Sequence, residues 1–401
     1  MTTYDFDTVV DRYGTYSTQW DYVQDRFGEA GLLPFTISDM DFKAPQGVSD
    51  VLTTAAKRGI FGYTRWNNPD FKSAITNWFA SRYKVAVNPD AIVYSPSVIF
   101  SLAKLVEQWS RPGAAVFTFS PCYDAFINTV TSNERLLIQE NIDHGVDWKH
   151  VEQVFATEHP SIFLLCNPHN PLGIAWSDAD MRRVVALCNA YHVAIISDEI
   201  HMDVVRAGTK VNSLAAYFSE LSVPVAVITS ASKAFNIPAL GVSYALIPNV
   251  LDREEFLKTL KQKNALSSVP YLGMLATIEC YQHQGEWLNQ LSAYIDANFA
   301  FMKQYLHNEL NLEYQIPDAT YLAWIDITPL GIPMHQLQQT MVTKEKVAIM
   351  DGRIYGNGGL NYLRYNLGAP RTKIEDGLER LARAVHSLQV NGGESNAQDS
   401  F

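Results

Sequence analysis

The residues best suited to chemistry stand at the ends of apolar runs. Lys233 follows "VPVAVI" in the stretch "TSASKAFNIP", with Ser230 and Ser232 just before it. Lysine is among the side chains least often buried without a partner, so its place at the end of a core run calls for a reason. Asp198 and His201 close a second run, Asn170 a third, Tyr123 a fourth and Ser97 a fifth. Taken singly, each is ordinary turn chemistry, since Asn, Asp and Ser populate loops whatever the function, and His201 reads equally well as a packed, hydrogen-bonded histidine. Together they offer a cation, an acid, an amide, an aromatic ring and hydroxyls, which is the donor set for one polar ligand.

The elements that must carry them are read from the runs themselves: "AIVYSPSVIF" (91–100), "AAVFTFSPCYDAF" (114–126), "SIFLLCNPHNPLG" (161–173), "VAIISDEIHMD" (193–203), "VPVAVITSASK" (223–233) and "SYALIP" (243–248). Helical patterns lie between several of them. Apolar residues after Ser97 fall on one helical face, and "SDADMRRVVALCNAYH" opens with Ser177 as N-cap and acids in the first turn. Near-continuous apolar strands alternating with helices predict an α/β fold, a mostly parallel sheet covered on both faces. In such sheets ligands sit at the carboxyl ends of the strands, where the polar residues above are found. The flanks differ. Residues 1–45 are loop-rich. Beyond about 285 come a long helix, the strands "TYLAWIDI" and "NYLRYNLG", and a last helix over 372–388, which together read as a second, α+β domain built from both termini. The polar, Gly-containing tail 391–401 is expected to be disordered. No internal repeat appears.

The formal net charge of −11 argues against broad binding to nucleic acid or an anionic membrane. The N-terminus lacks a basic and apolar leader pattern, and no run is long enough to span a bilayer. Four scattered cysteines form neither a CxxC pair nor metal-ligand spacing, as expected of free thiols in a reducing cytoplasm. No metal site is expected.

Lys233 does not belong to a phosphate-binding GxxxxGK[ST] loop, because Ala234 follows it. An ion pair and a Schiff-base amine remain open for it. Pyridoxal 5′-phosphate (PLP) fits the second option. Hydroxyls of Ser230 and Ser232 and the amides at the start of the helix near Val98 suit a phosphate. Asp198 suits a protonated ring nitrogen, Tyr123 a stacking partner, and the Asn170 amide the 3-hydroxyl.

The pieces "NPHNPLG", "SDEIHMD" and "SASK", with Asp198 35 positions before Lys233, resemble the fold-type I PLP enzymes of the aminotransferase superfamily. Within it, "QWDYV", "LLPFTISDMDF", "FGYTRW", "PCYDAF", "SKAFNIPAL", "ATYLAW", "EKVAIM" and "LRYNLGAPR" resemble the MalY/PatB-type cystathionine β-lyases over residues 19–371. The resemblance implies a seven-stranded, mostly parallel sheet in a large PLP-binding domain (46–285) and a small domain from 1–45 and 286–390. It implies Lys233, Tyr123 and Asp198 as catalytic, with Lys233 holding PLP covalently, Asp198 on the pyridinium, and Asn170 and His201 near the 3-hydroxyl. Ser230, Ser232 and the backbone of Val98 and Ile99 would hold the phosphate. Tyr63 would reach the phosphate of the neighbouring subunit in a homodimer, and Arg364 would clamp the substrate carboxylate. Arg371 is expected to be a surface or structural residue.

Two positions depart from the wider superfamily. Gly241 stands eight residues after the lysine, where an arginine is usual, and Leu172 replaces a threonine. The implied activity is β-elimination from cystathionine and other S-substituted cysteines to thiol, pyruvate and ammonia, in methionine and cysteine metabolism in the cytoplasm. A class I/II aminotransferase would use the same lysine, aspartate and arginine. The resemblance also leaves open a second role as repressor of a maltose-type regulon through a transcription-activator partner.

Overall fold

The structure, a computed structural model, describes residues 4–398, with side chains through residue 390. Twelve strands run through them: β1 Leu33–Pro34, β2 Ile92–Ser95, β3 Ala115–Ser120, β4 Leu136–Asn141, β5 Ile162–Cys166, β6 Ala194–Asp198, β7 Val225–Thr229, β8 Ser243–Leu246, β9 Leu322–Asp326, β10 Val347–Ala348, β11 Met350–Asp351 and β12 Tyr362–Asn366. Seven form one sheet in the order β2-β8-β7-β6-β5-β3-β4. All its pairings are parallel except the two made by β8.

The central strands β5, β6 and β7 are buried along their whole length, which is why they read as continuous apolar runs rather than alternating ones. The seventh strand, β4, was not among the apolar runs of the sequence. It lies at the sheet edge, has no fully buried residue, and ends in Gln139, Glu140 and Asn141, so its pattern carries little apolar signal.

Helices begin where the sequence supplies caps. Ser97 accepts the Phe100 N–H at the head of Val98–Trp109, and Ser177 accepts the Asp180 N–H at the head of Asp178–Tyr191. Each such cap contributes about 1 kcal/mol.

The remaining strands form β11-β12-β9, an antiparallel sheet, accompanied by the long helices Gly285–Leu310 and Arg371–Gln398. β1 pairs with β10, so the N-terminal segment is stitched to the C-terminal elements. Arg371 packs its guanidinium over Phe301 and donates to Asn298 (3.0 Å). Of the tail expected over 391–401, residues 391–398 continue the last helix, which runs past the expected end at 388, and 399–401 lie outside the described residues. Among the described residues no helix is long and apolar enough to cross a membrane, and no cluster of metal-ligating side chains occurs. All four cysteines are buried and unpaired.

Candidate active site

The carboxyl ends of β5, β6 and β7 and the turn after β2 enclose a cavity of about 190 Å³. Ser97, Val98, Ile99, Tyr123, Asn170, Asp198, His201, Ser230, Ser232 and Lys233 all line it. Every residue expected at the cofactor except Tyr63 is therefore brought to one wall or another of the same space. Asn170, Asp198, His201 and Ser230 are almost fully buried.

Lys233 is held at the mouth, where its Nζ donates to the Ser38 carbonyl (2.5 Å). Burial pulls its pKa down to about 8 despite the pull of Asp39 and Asp198 in the other direction. A desolvated amine of this kind is a ready nucleophile and base. Asp198 accepts the Ile200 N–H (3.1 Å). Burial pushes its carboxyl up to about 7, with the Ile200 bond and the Lys233 charge only partly offsetting it. No described residue forms an ion pair with either side chain, so the site is short of a cation for Asp198 and of a covalent or ionic partner for Lys233.

His201 is kept neutral, its pKa lowered to about 3 by burial first and then by Lys233 and Arg364. Among the described residues its Nδ1 is buried without a partner, as is Arg364 Nε. A ligand carrying a protonated ring nitrogen, a carbonyl for the amine, and hydroxyl and phosphate acceptors fits these open groups, and PLP has all of them.

The phosphate end is set by the turn after β2. Ser97 caps Phe100 N–H (3.1 Å), which leaves the first amides of the helix, those of Val98 and Ile99, on the cavity wall. One expectation shifts here. The Ser230 hydroxyl donates to Val242 O (2.6 Å) and accepts Ser232 N–H (3.0 Å). In this arrangement its single proton goes to a backbone brace between the turn and the strand beside it, and a phosphate would compete with Val242 O for that proton. The Ser232 hydroxyl has no hydrogen bond among the described residues and remains open. Gly241 also lines the cavity, in the left-handed region at φ +62°, a conformation that favours glycine.

A second, outer chamber of about 530 Å³ is lined by Lys233, Tyr123, Ser38, Tyr355, Arg364 and others. Lys233, Tyr123 and Ser38 border both spaces. Arg364, on β12, is 3% exposed. Its Nη2 donates to Thr36 O (2.7 Å), its Nη1 to Asn170 Oδ1 (3.3 Å), and its guanidinium lies 4.7 Å over the Tyr355 ring. Arg364 is thus a buried cation with no carboxylate partner among the described residues. Because the Asn170 oxygen is taken by Arg364, its amide N–H groups are left to donate.

Residues that the sequence reading missed lie in the strap 36–42, which crosses in front of Lys233. Its backbone carbonyls do the holding. Thr36 O takes Arg364, Ser38 O takes Lys233 and the Tyr321 hydroxyl (2.9 Å), Ile37 O and Asp39 O take Asn366 (2.8 and 2.7 Å), and Met40 O and Phe42 O take Asn236 (2.7 and 2.8 Å). No side-chain pattern announces a carbonyl. Glu199, next to Asp198, was also missed. It is fully buried and accepts from Ser197 (2.9 Å), Asn167 (3.3 Å) and Leu214 N–H (2.8 Å), tying the ends of β5 and β6 together. Tyr63 stands apart from both chambers and is 100% exposed.

A family model described as aminotransferase class I and II matches residues 30–381. The chain is 40% identical over 392 residues to Protein MalY of Escherichia coli strain K12, covering 96% of this chain and 100% of that one. It is 35% identical over 391 residues to the cystathionine beta-lyase PatB of Bacillus subtilis strain 168, covering 95% and 99%. Among solved structures it is similar to the PLP-bound C-S lyase from Staphylococcus hominis, with a TM-score of 0.89 and 26% identity over 96% of this chain and 98% of that one.

Proposed function

The chain belongs to the class I and II aminotransferase family, and from that premise we propose that it is a PLP-dependent carbon–sulfur β-lyase. Its substrates are cystathionine and other S-substituted cysteines, and its products a thiol (homocysteine from cystathionine), pyruvate and ammonia. The observation that carries this reading is the position of Lys233, which borders at once the cavity holding Asp198 and the chamber holding Arg364.

PLP, when bound, supplies an electron sink that stabilises negative charge at the substrate Cα. The chain's own residues do the rest. Lys233 anchors the cofactor covalently and, as a free amine, takes the Cα proton, a task suited to a pKa near 8. Asp198 keeps the ring nitrogen protonated. Asn170 donates to the 3-hydroxyl, and His201, neutral and with Nδ1 open, sits beside it. Amides of Val98 and Ile99 and the Ser232 hydroxyl hold the phosphate. Tyr123, which borders both spaces, would stack on the ring and would supply a proton to a departing thiolate. Arg364 receives the substrate α-carboxylate in a bidentate fork.

A homodimer is supported by an exposed strip at Ile60, Phe61 and Tyr63, of which Phe61 and Tyr63 edge a groove with Leu240 and Val269; in it Tyr63 would enter the neighbouring site. We also retain the division into a large domain over 46–285 and a small one over 1–45 and 286–390, supported by the β1–β10 pairing. The cytoplasmic location and the transcription-activator partner rest on the sequence resemblance. The test is release of homocysteine and pyruvate from cystathionine with no keto-acid present. Product only when a keto-acid acceptor is added would make the chain an aminotransferase.

A further inference from the structure

The outer chamber holds more charge than an α-amino acid needs. Arg12 faces it, but is spent on Asp39 and Asp41, each at 2.9 Å. Arg364 is reserved for the α-carboxylate on the reading above. That leaves Arg26, at the end of the short helix Val23–Phe27, and Asp124, the first residue of the helix Asp124–Ser132. Neither forms an ion pair or a side-chain hydrogen bond among the described residues. Each has a bland explanation: an arginine near a helix C-terminus and an aspartate in a first helical turn both complement the helix dipole. That explanation does not account for their meeting on the wall of one chamber with Lys233.

Tyr355 lines the same chamber: it is 1% exposed and lies 4.7 Å under the Arg364 guanidinium, so Arg364, Tyr355, Arg26 and Asp124 all border one space. One unpaired cation and one unpaired anion on the same wall match a ligand end that carries both charges.

We propose that Arg26 and Asp124 form a distal subsite for the S-substituent of the substrate, Arg26 receiving a carboxylate and Asp124 an ammonium group. This rests on the lyase reading and deepens it: it assigns the two residues that recognise the far, α-amino-acid end of cystathionine and so set its rank among S-substituted cysteines. Both groups act on the bound substituent and leave the reacting atoms to Lys233. Charge-assisted contacts of this kind each change affinity about 10- to 100-fold.

The test compares four substrates by thiol or pyruvate release with no keto-acid acceptor. They are cystathionine, S-(2-carboxyethyl)cysteine, S-(2-aminoethyl)cysteine and S-methylcysteine, carrying at the far end both charges, the carboxylate alone, the ammonium alone and neither. Arg26→Met is expected to lower kcat/KM for the two carboxylate-bearing substrates about 10- to 100-fold relative to S-methylcysteine. Asp124→Asn is expected to do the same for the two ammonium-bearing substrates. Each loss should appear mainly in KM, because the contact is equal in ground and transition states. Equal losses on all four substrates, or no change in their ratios, would overturn the distal subsite while leaving the lyase reading intact. Wild type that releases product from none of the four would overturn the lyase reading, and the subsite with it.

Discussion

Replacing Asp198 by asparagine is expected to stabilise the cofactor-free protein at alkaline pH. Asp198 is 3% exposed, and burial raises its carboxyl from 3.8 to about 7. Between those values the folded chain keeps a proton that the unfolded chain has released, so stability falls as pH rises through the window. The penalty is absent below the unfolded value and complete above about pH 7. A rise of about three pKa units corresponds to about 4 kcal/mol, an upper bound because water entering the cavity solvates the carboxylate. Asparagine keeps the oxygen that accepts the Ile200 N–H and removes the charge. Glu199, raised in the same direction to about 7, is present in both proteins and cancels. Urea denaturation of the two cofactor-free proteins should show the variant more stable by about 2–4 kcal/mol at pH 8, with the curves converging near pH 4. With PLP bound the order should reverse, because a pyridinium now meets the carboxylate. A difference that does not vary with pH, or a wild type more stable than the variant at pH 8 without cofactor, would refute the electrostatic reasoning.

Three further outcomes follow from the same geometry. Arg364→Lys should raise KM for every amino-acid substrate, with kcat/KM lower by about 10- to 100-fold, since a point charge replaces a fork that already spans Thr36 O and Asn170; unchanged steady-state kinetics would remove Arg364 from the substrate site. Ser230→Ala should lower the urea midpoint more than PLP affinity, by about 1–3 kcal/mol of stability, because it strips the brace to Val242. Ser232→Ala should do the opposite, and equilibrium dialysis of PLP beside denaturation distinguishes the two. The rate at which cofactor-free protein takes up PLP should increase with pH through about 8, as Lys233 loses its proton. Stopped-flow absorbance measures it, and a rate flat from pH 6 to about 9 would mean that the amine is not the reacting group.

The sheet was legible because its central strands are buried on both faces, and the polar residues that end them sit where ligands bind in such sheets. Lys233, Asp198, Asn170 and Tyr123 could thus be placed together from position alone. Arg364 could not, because β12 lies far along the chain and nothing in its spacing points to the cavity; only the resemblance marked it. Strand β4 escaped because an exposed edge needs no apolar run. Ser230 carries a feature that residue type does not show: a hydroxyl is legible in the sequence, and only the fold shows that it also braces Val242.

The strap at 36–42 has a consequence for how the site can vary. It grips Arg364, Asn366, Lys233 and Asn236 through successive carbonyl oxygens, and a carbonyl survives almost any change of side chain. What it does not survive is a change of spacing. The segment is length-coded as well as identity-coded: Asp39 and Asp41 are fixed by their side-chain pairs with Arg12 and Lys373, whereas the positions that act only through a carbonyl tolerate substitution, and one inserted or deleted residue would carry the oxygens on one side of it away from the side chains they hold.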